Sequence, residues 1–478
     1  MTKRAQTKFN KHYRWISQDD HMTEIWQVMF SSWVNLNKNT YHVSVNPAIV
    51  EWRSTNWNKM LAWFYTEDSG WNRSAACAWE DGEVYKVNGT DDVADFIFSD
   101  WRNVANAINM WEEIFFVRPS WSWQIRVGKT NKSNTNLTNI TENITTTWED
   151  LPDGTIKSKY PMFNFNNNIV IIWVGGTLCT IDRSWIVTNY AFFAEDIVSI
   201  TRVGGKFRIY SSNWEIAFWR FWELWIDESY NIDDYQNWYL RGAINRWSVD
   251  FIVSWFNSQQ SDIRLGAGYD APIKAHYIQS ERINQEKFKV DVWNVRQLTR
   301  IWDTIFFVNE TENDSQALWS FGYKNVIFWD AFQEERLFDG WNIHSIYWFQ
   351  WPWDDNIYMS TSKSSAYKIS SYDLNWAEAG SWEIYYNIMD GWDATIEKKM
   401  VSIFETVSNC SDGNTVEILL SYDGWAFESQ RVISESSWID RKEISTNKEF
   451  TDLVLKVIIT WNARHHAARA KYDITEEE

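Results

Sequence analysis

Glycine is scarce in this chain, whose 478 residues include only 18. A globular protein of this length with glycine at about 7% would hold about 33. Proline is rarer, with six residues. The three cysteines, Cys77, Cys179 and Cys410, are odd in number and widely spaced, which argues against a disulfide framework or a zinc-ligand pair and fits a reducing compartment. The longest apolar stretch, 169–179, is too short to span a bilayer, and no Sec-type signal follows the charged N-terminus. We therefore expect a soluble chain without membrane contact.

Tryptophan is the residue in excess, with 36 copies. Several stand where a turn needs positive φ or a minimal side chain, which glycine supplies: Trp341, Trp392 and Trp425 follow Asp-Gly, and Trp71 follows Ser-Gly. This pattern resembles genes of uncultured bacteria and their phages in which UGA specifies glycine, translated here as tryptophan. We interpret most of these tryptophans as misread glycines. Trp79 and Trp238 stand in ordinary contexts and are taken as genuine. The alternative is a Trp-rich surface that binds carbohydrate.

Charge is unevenly distributed along the chain. The formal net charge of −19 and the pI of about 4.9 argue against nonspecific DNA binding over the whole surface. Both ends are nevertheless basic: the first segment contains Lys3, Arg4, Lys8, Lys11 and Arg14, and the last contains Arg464, His465, His466, Arg469 and Lys471. We expect these ends to be either solvated or in contact with a charged partner such as an acidic protein surface or DNA.

A loose repeat of short apolar strands and polar turns predicts an all-β fold. Apolar runs recur at intervals from 39 residues (169 to 208) to 55 residues (114 to 169). Propeller blades of four strands have periods of this order. Within each unit one strand is almost continuously apolar, as a strand buried on both faces must be. The sequence predicts a six- or seven-bladed β-propeller over 51–390, with a β-sandwich array or an irregular solenoid as the alternative.

The two ends of the chain depart from this period. Residues 395–478 contain longer strands with hairpin turns, which favour a C-terminal antiparallel β-sandwich. Residues 1–50 are predicted to be an N-terminal arm or the segment that closes the ring. Residues 129–147, rich in Asn and Thr, are predicted to form an exposed loop.

No pattern in the sequence indicates a catalytic, cofactor or metal site. His465 and His466 adjoin, but neighbours in sequence do not converge on one metal unless a loop bends them. Gly175-Gly176 and Gly204-Gly205 precede strands rather than helices, so they predict hairpin turns and not phosphate loops. The segment 21–71 is faintly similar to the start of invertase-like enzymes but lacks their Asn-Asp-Pro, Arg-Asp-Pro and Glu-Cys motifs. We therefore name no catalytic residue, no cofactor and no metal.

The plan of the chain resembles a family of tailed-phage virion proteins, the head-closure or tail-hub stabilisation proteins. The local likeness is greatest near the end, where a strand and Asp-Gly turn (416–425) lead to Arg441-Lys442 and a last strand pair (453–460). The resemblance implies a non-enzymatic virion protein that assembles in the host cytoplasm. Its partners would be other virion proteins and further copies of itself, with DNA contact through the basic ends. The alternatives are a carbohydrate-binding or glycosidase-like propeller, which would gather Asp and Glu from several blades at one mouth of the ring, and a host surface propeller.

Overall fold

The computed structural model of the chain is an all-β protein. It describes residues 3–9, 28–32, 34–35, 44–45, 47–55, 59–79, 83–87, 94–95, 104, 106–119, 124–133, 141–146, 162–174, 176–184, 186–191, 193, 195–203, 206–213, 215–220, 228–231, 238–246, 249–256, 260–267, 273–274, 294–310, 316–324, 329–338, 340–351, 354–364, 366–377, 381–386, 397–411, 413–423, 426–436 and 438–474. None of these residues lies in a helix, so the described chain has no helix that could span a membrane.

Six four-stranded antiparallel sheets follow one another through the described chain, together with four antiparallel strands, β26 to β29, that belong to a nine-stranded sheet. We number these units blade 1 to blade 7. Their strands are β6 (Met60–Glu67), β7 (Arg73–Trp79), β8 (Glu83–Lys86) and β9 (Ala94–Asp95); β10 (Asn106–Met110), β11 (Glu113–Pro119), β12 (Gln124–Asn131) and β13 (Thr141–Thr146); β14 (Met162–Phe165), β15 (Ile169–Val174), β16 (Thr177–Asp182) and β17 (Val187–Ala191); β18 (Ile197–Val203), β19 (Lys206–Ser211), β20 (Glu215–Trp219) and β21 (Glu228–Asn231); β22 (Trp238–Arg246), β23 (Val249–Phe256), β24 (Gln260–Ala267) and β25 (Ile273–Lys274); β26 (Asn294–Ile301), β27 (Thr304–Glu310), β28 (Gln316–Lys324) and β29 (Trp329–Phe338); and β30 (Asn342–Trp351), β31 (Asp354–Lys363), β32 (Ala366–Ala377) and β5 (Pro47–Ser54).

The blades form a closed ring, which makes the architecture a β-propeller. The first strand of each blade is innermost: β6 lies against β10, β10 against β14, β18 against β22, β22 against β26, and β26 against β30. Blades 3 and 4 share an apolar cluster, and β30 returns to contact β6. The second strand of a blade is the continuously apolar one, as in β15, where 169–173 are all buried. This burial between neighbouring blades explains the apolar runs in the sequence.

The N-terminal part of the chain supplies the strand that completes the ring. β5 pairs with β32 as the outermost strand of blade 7, with Val50 opposite Ser371 and Ile49 opposite Tyr372. The N-terminal part of the chain is thereby joined to the last blade.

Polar side chains on or beside the innermost strands also form hydrogen bonds between each blade and the next. The amide of Asn109 (blade 2) both accepts from and donates to the backbone of Tyr65 (blade 1), at 2.9 and 2.8 Å. The other junctions use Asn164 to Asn109 O (2.9 Å), Arg202 to Asn166 Oδ1 (3.0 Å), Ser199 to Ala243 O (2.5 Å), Arg300 to Asn245 O (2.9 Å), Gln297 to His344 O (3.1 Å) and Ser345 to Met60 O (2.5 Å). Every junction of the ring therefore carries at least one directional bond in addition to its apolar contacts.

Beyond the ring, two sheets enclose a second apolar core. Their strands are β1 (Lys3–Phe9), β2 (Val28–Ser32), β33 (Ser381–Tyr386), β34 (Lys398–Ser408), β35 (Val416–Tyr422), β36 (Glu428–Ile433), β37 (Asp440–Ser445), β38 (Glu449–Phe450), β39 (Leu453–Thr460) and β40 (Arg464–Ile474); a separate pair is β3 (Val34–Asn35) and β4 (Ser44–Val45). One sheet has the order β1-β40-β34-β37, with β38 also on β34. The other continues from blade 6 through β2 to β33, β39, β35 and β36. Buried residues of β34 and β40 pack against those of β35 and β39.

The Asn/Thr-rich segment 129–147 is not wholly a loop, and that part of the sequence prediction is wrong. Residues 141–146 form β13, which pairs with β12 over six positions. Thr is compatible with strands, and the edge position of β13 tolerates its polar composition.

Candidate functional site

The turns that join the first and second strands of the blades define one face of the ring, the first-turn face. Four of these turns are described: 68–72 in blade 1, 111–112 in blade 2, 166–168 in blade 3 and 302–303 in blade 6. Because blade strands alternate in direction, the turns between third and fourth strands emerge at this same end. A contact between neighbouring blades is consistent with this placement. Lys129, near the end of β12 in blade 2, donates to the backbone carbonyl of Arg183, which lies between the third and fourth strands of blade 3, at 2.9 Å.

Carboxylates on this face between blades 1, 2 and 3 are paired with cations. Glu67 is almost fully buried, and its Oε2 lies 3.0 Å from Arg73 Nε and 3.1 Å from Lys132 Nζ of blade 2. Burial acts to raise the pKa of Glu67, but its bonds to these two cations outweigh burial and hold the pKa below its ordinary value. Glu113 likewise lies 3.0 Å from Lys129 Nζ. The Glu67–Lys132 pair links blades 1 and 2, and Glu113 also lies 3.5 Å from Arg183 Nε of blade 3.

A buried polar cluster joins blades 4 and 5 around Asp250, which is fully buried. Its Oδ2 accepts bonds from Thr201 Oγ1 (2.7 Å) and Tyr210 Oη (2.5 Å), and Arg208 Nε lies 3.0 Å away. Asn245 Nδ2 donates to Oδ1 at 2.8 Å. Both carboxylate oxygens are thus occupied by protein groups, which suits a fixed structural role.

A second buried carboxylate, Glu335, joins blades 6 and 7. It accepts bonds from Ser320 of its own blade and from Tyr372 Oη of blade 7, the latter at 2.6 Å. The glycosidase alternative requires acidic groups gathered at one mouth of the ring. Glu67, Glu113 and Asp250 do approach the first-turn face, but each is engaged by donors from the protein itself.

Exposed tryptophans on the first-turn face occupy backbone conformations that suit glycine. Trp71, Trp111 and Trp302 have φ of 65°, 51° and 54° and are 71%, 59% and 65% exposed. Trp461, in the turn between β39 and β40, has φ 51°. Trp111 and Trp302 are the first residues of two-residue hairpin loops, and their successors do not have positive φ. This is the type II′ turn, whose first loop position takes glycine.

Trp71 lies at the glycine position of another hairpin type. Asp68 and Asn72 bracket a three-residue loop, with the Trp71 N–H bonded to Asp68 O at 3.0 Å and the Asp68 N–H bonded to Asn72 O at 2.9 Å. In such loops the third residue is left-handed and is normally glycine. The equivalent turn of blade 3 holds Asn166 and Asn167 at φ 53° and 56°, the other residue type tolerant of this region.

A second class of tryptophan is buried in strands and makes specific contacts. Trp63 donates its indole N–H to Ser345 Oγ at 2.7 Å and stacks on Tyr347 at 5.8 Å. Trp219 is 1% exposed and packs on Phe207 at 5.4 Å. These side chains fill space that glycine would leave empty. The side chains of Trp79 and Trp238 lie outside the described residues.

The adjoining histidines near the C-terminus point to different partners. His465 is fully buried between the two sheets of the second core, with Nε2 2.8 Å from Glu405 Oε2 and Nδ1 3.0 Å from Tyr386 Oη. His466 Nε2 lies instead 2.8 Å from Ser408 Oγ. Burial lowers the pKa of His465 to about 3 and raises that of Glu405 well above its ordinary value. The alternation of β40 predicts this divergence, but the buried partners come from distant strands and could not be named from the sequence.

The structure describes some of the remaining glycines, cysteines and histidines that the sequence analysis considered. Gly176 lies between β15 and β16, whereas Gly175, Gly204-Gly205 and residues 21 and 42 of the invertase-like segment lie outside the described residues. All three cysteines are buried thiols, and burial raises the pKa of Cys179 to about 12. Within the described ranges, no group of three or more His, Cys, Asp or Glu could hold a metal.

Comparisons with known proteins find similarity of fold alone. No family model and no curated protein matches the chain. Among solved structures it is similar to the WD40 β-propeller domain of Doa1 (12% identity, TM-score 0.46, covering 70% of this chain and 100% of that one). It is also similar to YCF48 bound to a D1 peptide (10%, 0.45, 71% and 96%) and to the computationally designed Ika8 protein (9%, 0.39, 70% and 100%).

Proposed function

We propose that this chain is a non-enzymatic structural protein of a tailed-phage virion, at the head–tail connection or in the tail. It acts as a β-propeller scaffold that contacts neighbouring virion proteins through its turns and assembles in the host cytoplasm. Its gene belongs to a genome in which UGA specifies glycine.

The observation that carries the proposal is the position of the exposed tryptophans. Trp111 and Trp302 stand at first loop positions of two-residue hairpins, and Trp461 follows β39 in the turn that leads to β40. All three have positive φ, where glycine is favoured and a bulky side chain is strained. Phages that infect hosts with a recoded UGA share the host code, so glycine decoding supports a phage setting. The bonds at every blade junction support a rigid building block rather than a mobile catalytic cleft.

Peptide mass spectrometry of virus-like particles purified from the source sample tests the proposal. We expect peptides of this chain in the particle fraction, with the mass of glycine at 111, 302 and 461 and of tryptophan at 63 and 219. Tryptophan at all five positions would overturn the decoding argument. Absence of the chain from particles, together with its presence in host-cell protein, would overturn the virion role.

One observation favours a second candidate, a carbohydrate-binding propeller. If the tryptophans are genuine, Trp71, Trp111 and Trp302 expose three aromatic side chains on one face of the ring. In that case a glycan array should detect binding, and Trp111→Ala should weaken it. An array without binding, or binding unaffected by the substitution, would contradict this candidate.

A further inference from the structure

The fold brings the two basic ends of an acidic chain side by side. β1 and β40 are paired over seven positions, with Lys8 opposite Arg469, Gln6 opposite Lys471 and Arg4 opposite Asp473. The sequence separates these segments by more than four hundred residues, yet they form neighbouring strands of one sheet. The backbone register therefore places the two basic segments next to each other.

The outer face of this sheet carries the cations of β40. Ala468, Ala470 and Tyr472 are buried in the core, so the alternating residues Arg469 and Lys471 lie on the opposite face. The next two strands continue this surface. Lys399 on β34 is opposite Asp473, and Phe404 on β34 is opposite Arg469. Arg441 on β37 lies over the Phe404 ring at 4.3 Å.

The side chains of Arg469, Lys471, Lys399 and Arg441 form no ion pair within the described residues. The backbone N–H of Arg441 bonds to Asp440 Oδ1, and the buried Nε of Arg469 has no hydrogen-bond partner. In the ring, by contrast, Arg73, Lys132, Lys129 and Arg208 are all paired with Glu or Asp. The acids described on the outer face are Asp473, Glu443 and Glu449, the last of which lies opposite Lys399. Against these three acids the face carries four cations whose side chains form no ion pair within the described residues, in a chain of net charge −19.

We propose that this outer face, centred on Arg469, Lys471 and Arg441, binds the phosphate backbone of nucleic acid. Arg469 and Lys471 are two residues apart on a strand, a distance of about 6.8 Å. That distance equals an axial rise of two nucleotides in DNA, about 3.4 Å each. A guanidinium binds phosphate through two parallel bonds, and a lysine ammonium adds a point charge. The regular spacing of charges fits a polymer with a regular charge repeat better than it fits an acidic protein surface.

Fluorescence anisotropy with a labelled DNA duplex, a labelled oligothymidylate and the full-length chain, over a series of salt concentrations, tests the proposal. We expect binding that weakens steeply with salt. The double variant Arg469→Gln/Lys471→Gln should bind at least tenfold more weakly at low salt. Its log–log salt slope should be smaller by about 1.5, since each lost phosphate contact contributes about 0.7 to 0.9. The charge-retaining double variant Arg469→Lys/Lys471→Arg should keep the slope of the parent chain.

The matched control is Lys59→Gln/Lys363→Gln, which removes two exposed cations of the propeller and should leave binding unchanged. Equal binding by the parent chain and Arg469→Gln/Lys471→Gln would overturn the proposal, as would no binding by the parent at the lowest salt. A parent chain that binds polyglutamate but neither DNA probe would assign the face to an acidic protein instead. The inference rests on the proposed virion role for its biological setting. The two fail separately, because particle mass spectrometry tests the role and anisotropy tests the face.

Discussion

Replacing Trp111 by glycine should stabilise the protein, although it removes the largest side chain. A non-glycine residue at positive φ costs about 1 to 2 kcal/mol. Glycine also increases the conformational entropy of the unfolded chain, which lowers the free energy of unfolding by about 0.4 to 1 kcal/mol and offsets part of the gain. Trp111 is 59% exposed at φ 51°, so its side chain contributes little buried area. The expected net gain in the free energy of unfolding is about 0.5 to 1 kcal/mol.

Trp302→Gly and Trp461→Gly should act in the same direction, with a smaller gain at Trp302 because its ring contacts Trp348 at 5.9 Å. The three turns belong to blade 2, blade 6 and the second core, so their effects should be nearly additive, at about 1 to 2.5 kcal/mol in total. Urea unfolding followed by far-UV circular dichroism measures these values without depending on tryptophan fluorescence.

The control at the same position is Trp111→Ala, which removes the ring but keeps a Cβ at positive φ. It should give no comparable gain, which separates backbone strain from the loss of an exposed ring. Trp219→Gly, in the buried class, should cost about 3 to 5 kcal/mol. If Trp111→Gly is destabilising, or if it equals Trp111→Ala, then the turn does not require glycine and the strain argument fails.

Three further changes test other parts of the fold. The pKa of His465, lowered to about 3, and the raised pKa of Glu405 should make the stability contributed by this pair greatest between about pH 4.5 and 6.5. Below that window the unfolded chain binds the extra proton, and above it the folded chain does, so stability falls on both sides by about 1.4 kcal/mol per pH unit. Glu405→Gln should remove the alkaline fall in urea unfolding measured against pH, and an unchanged profile would refute the assignment. Gly176→Ala would place a methyl group 1.9 Å from a backbone carbonyl and should cost about 3 kcal/mol or more, whereas Gly242→Ala, 3.3 Å from a flexible leucine, should cost under about 1.5 kcal/mol; equal thermal shifts would contradict this. Tyr372→Phe leaves a buried carboxylate without its 2.6 Å donor and should cost about 1 to 3 kcal/mol in urea unfolding, so an unaltered midpoint would contradict its role.

The parts of the fold that could be predicted from sequence are those set by local pattern. Apolar runs such as 169–173 are central strands of blades, and their recurrence predicts a propeller because each must be covered on both faces. Trp71 could be recognised because it follows Ser-Gly in a turn that needs positive φ. Both inferences need only neighbouring residues. Trp111, Trp302 and Trp461 follow no glycine and were not recognised, and Trp341, which follows Asp-Gly, is not among the residues with positive φ.

Pairings between distant segments could not be predicted in the same way. Asp250 lies beside Thr201 and Arg208 only because blades 4 and 5 pack against each other. The sequence contains 64 acidic residues, and no local pattern distinguishes Asp250 from the others. Likewise, His465 gave no sign of its buried bond to Glu405, sixty residues earlier. The strand at 141–146 was missed because its polar composition is typical of a loop. It forms a strand through backbone pairing with β12, which the composition does not reveal.

The closing strand β5 has a consequence for how the protein is made. Its partner β32 is synthesised some three hundred residues later, and β1 must wait for β40 at the very end. On the ribosome, both N-terminal strands emerge long before anything can pair with them, which makes ring closure a late and slow event. A chain that ended before β32 would keep an open ring with unpaired strand edges, which are prone to aggregation. Only a polypeptide that includes β32 can present a closed ring to a partner.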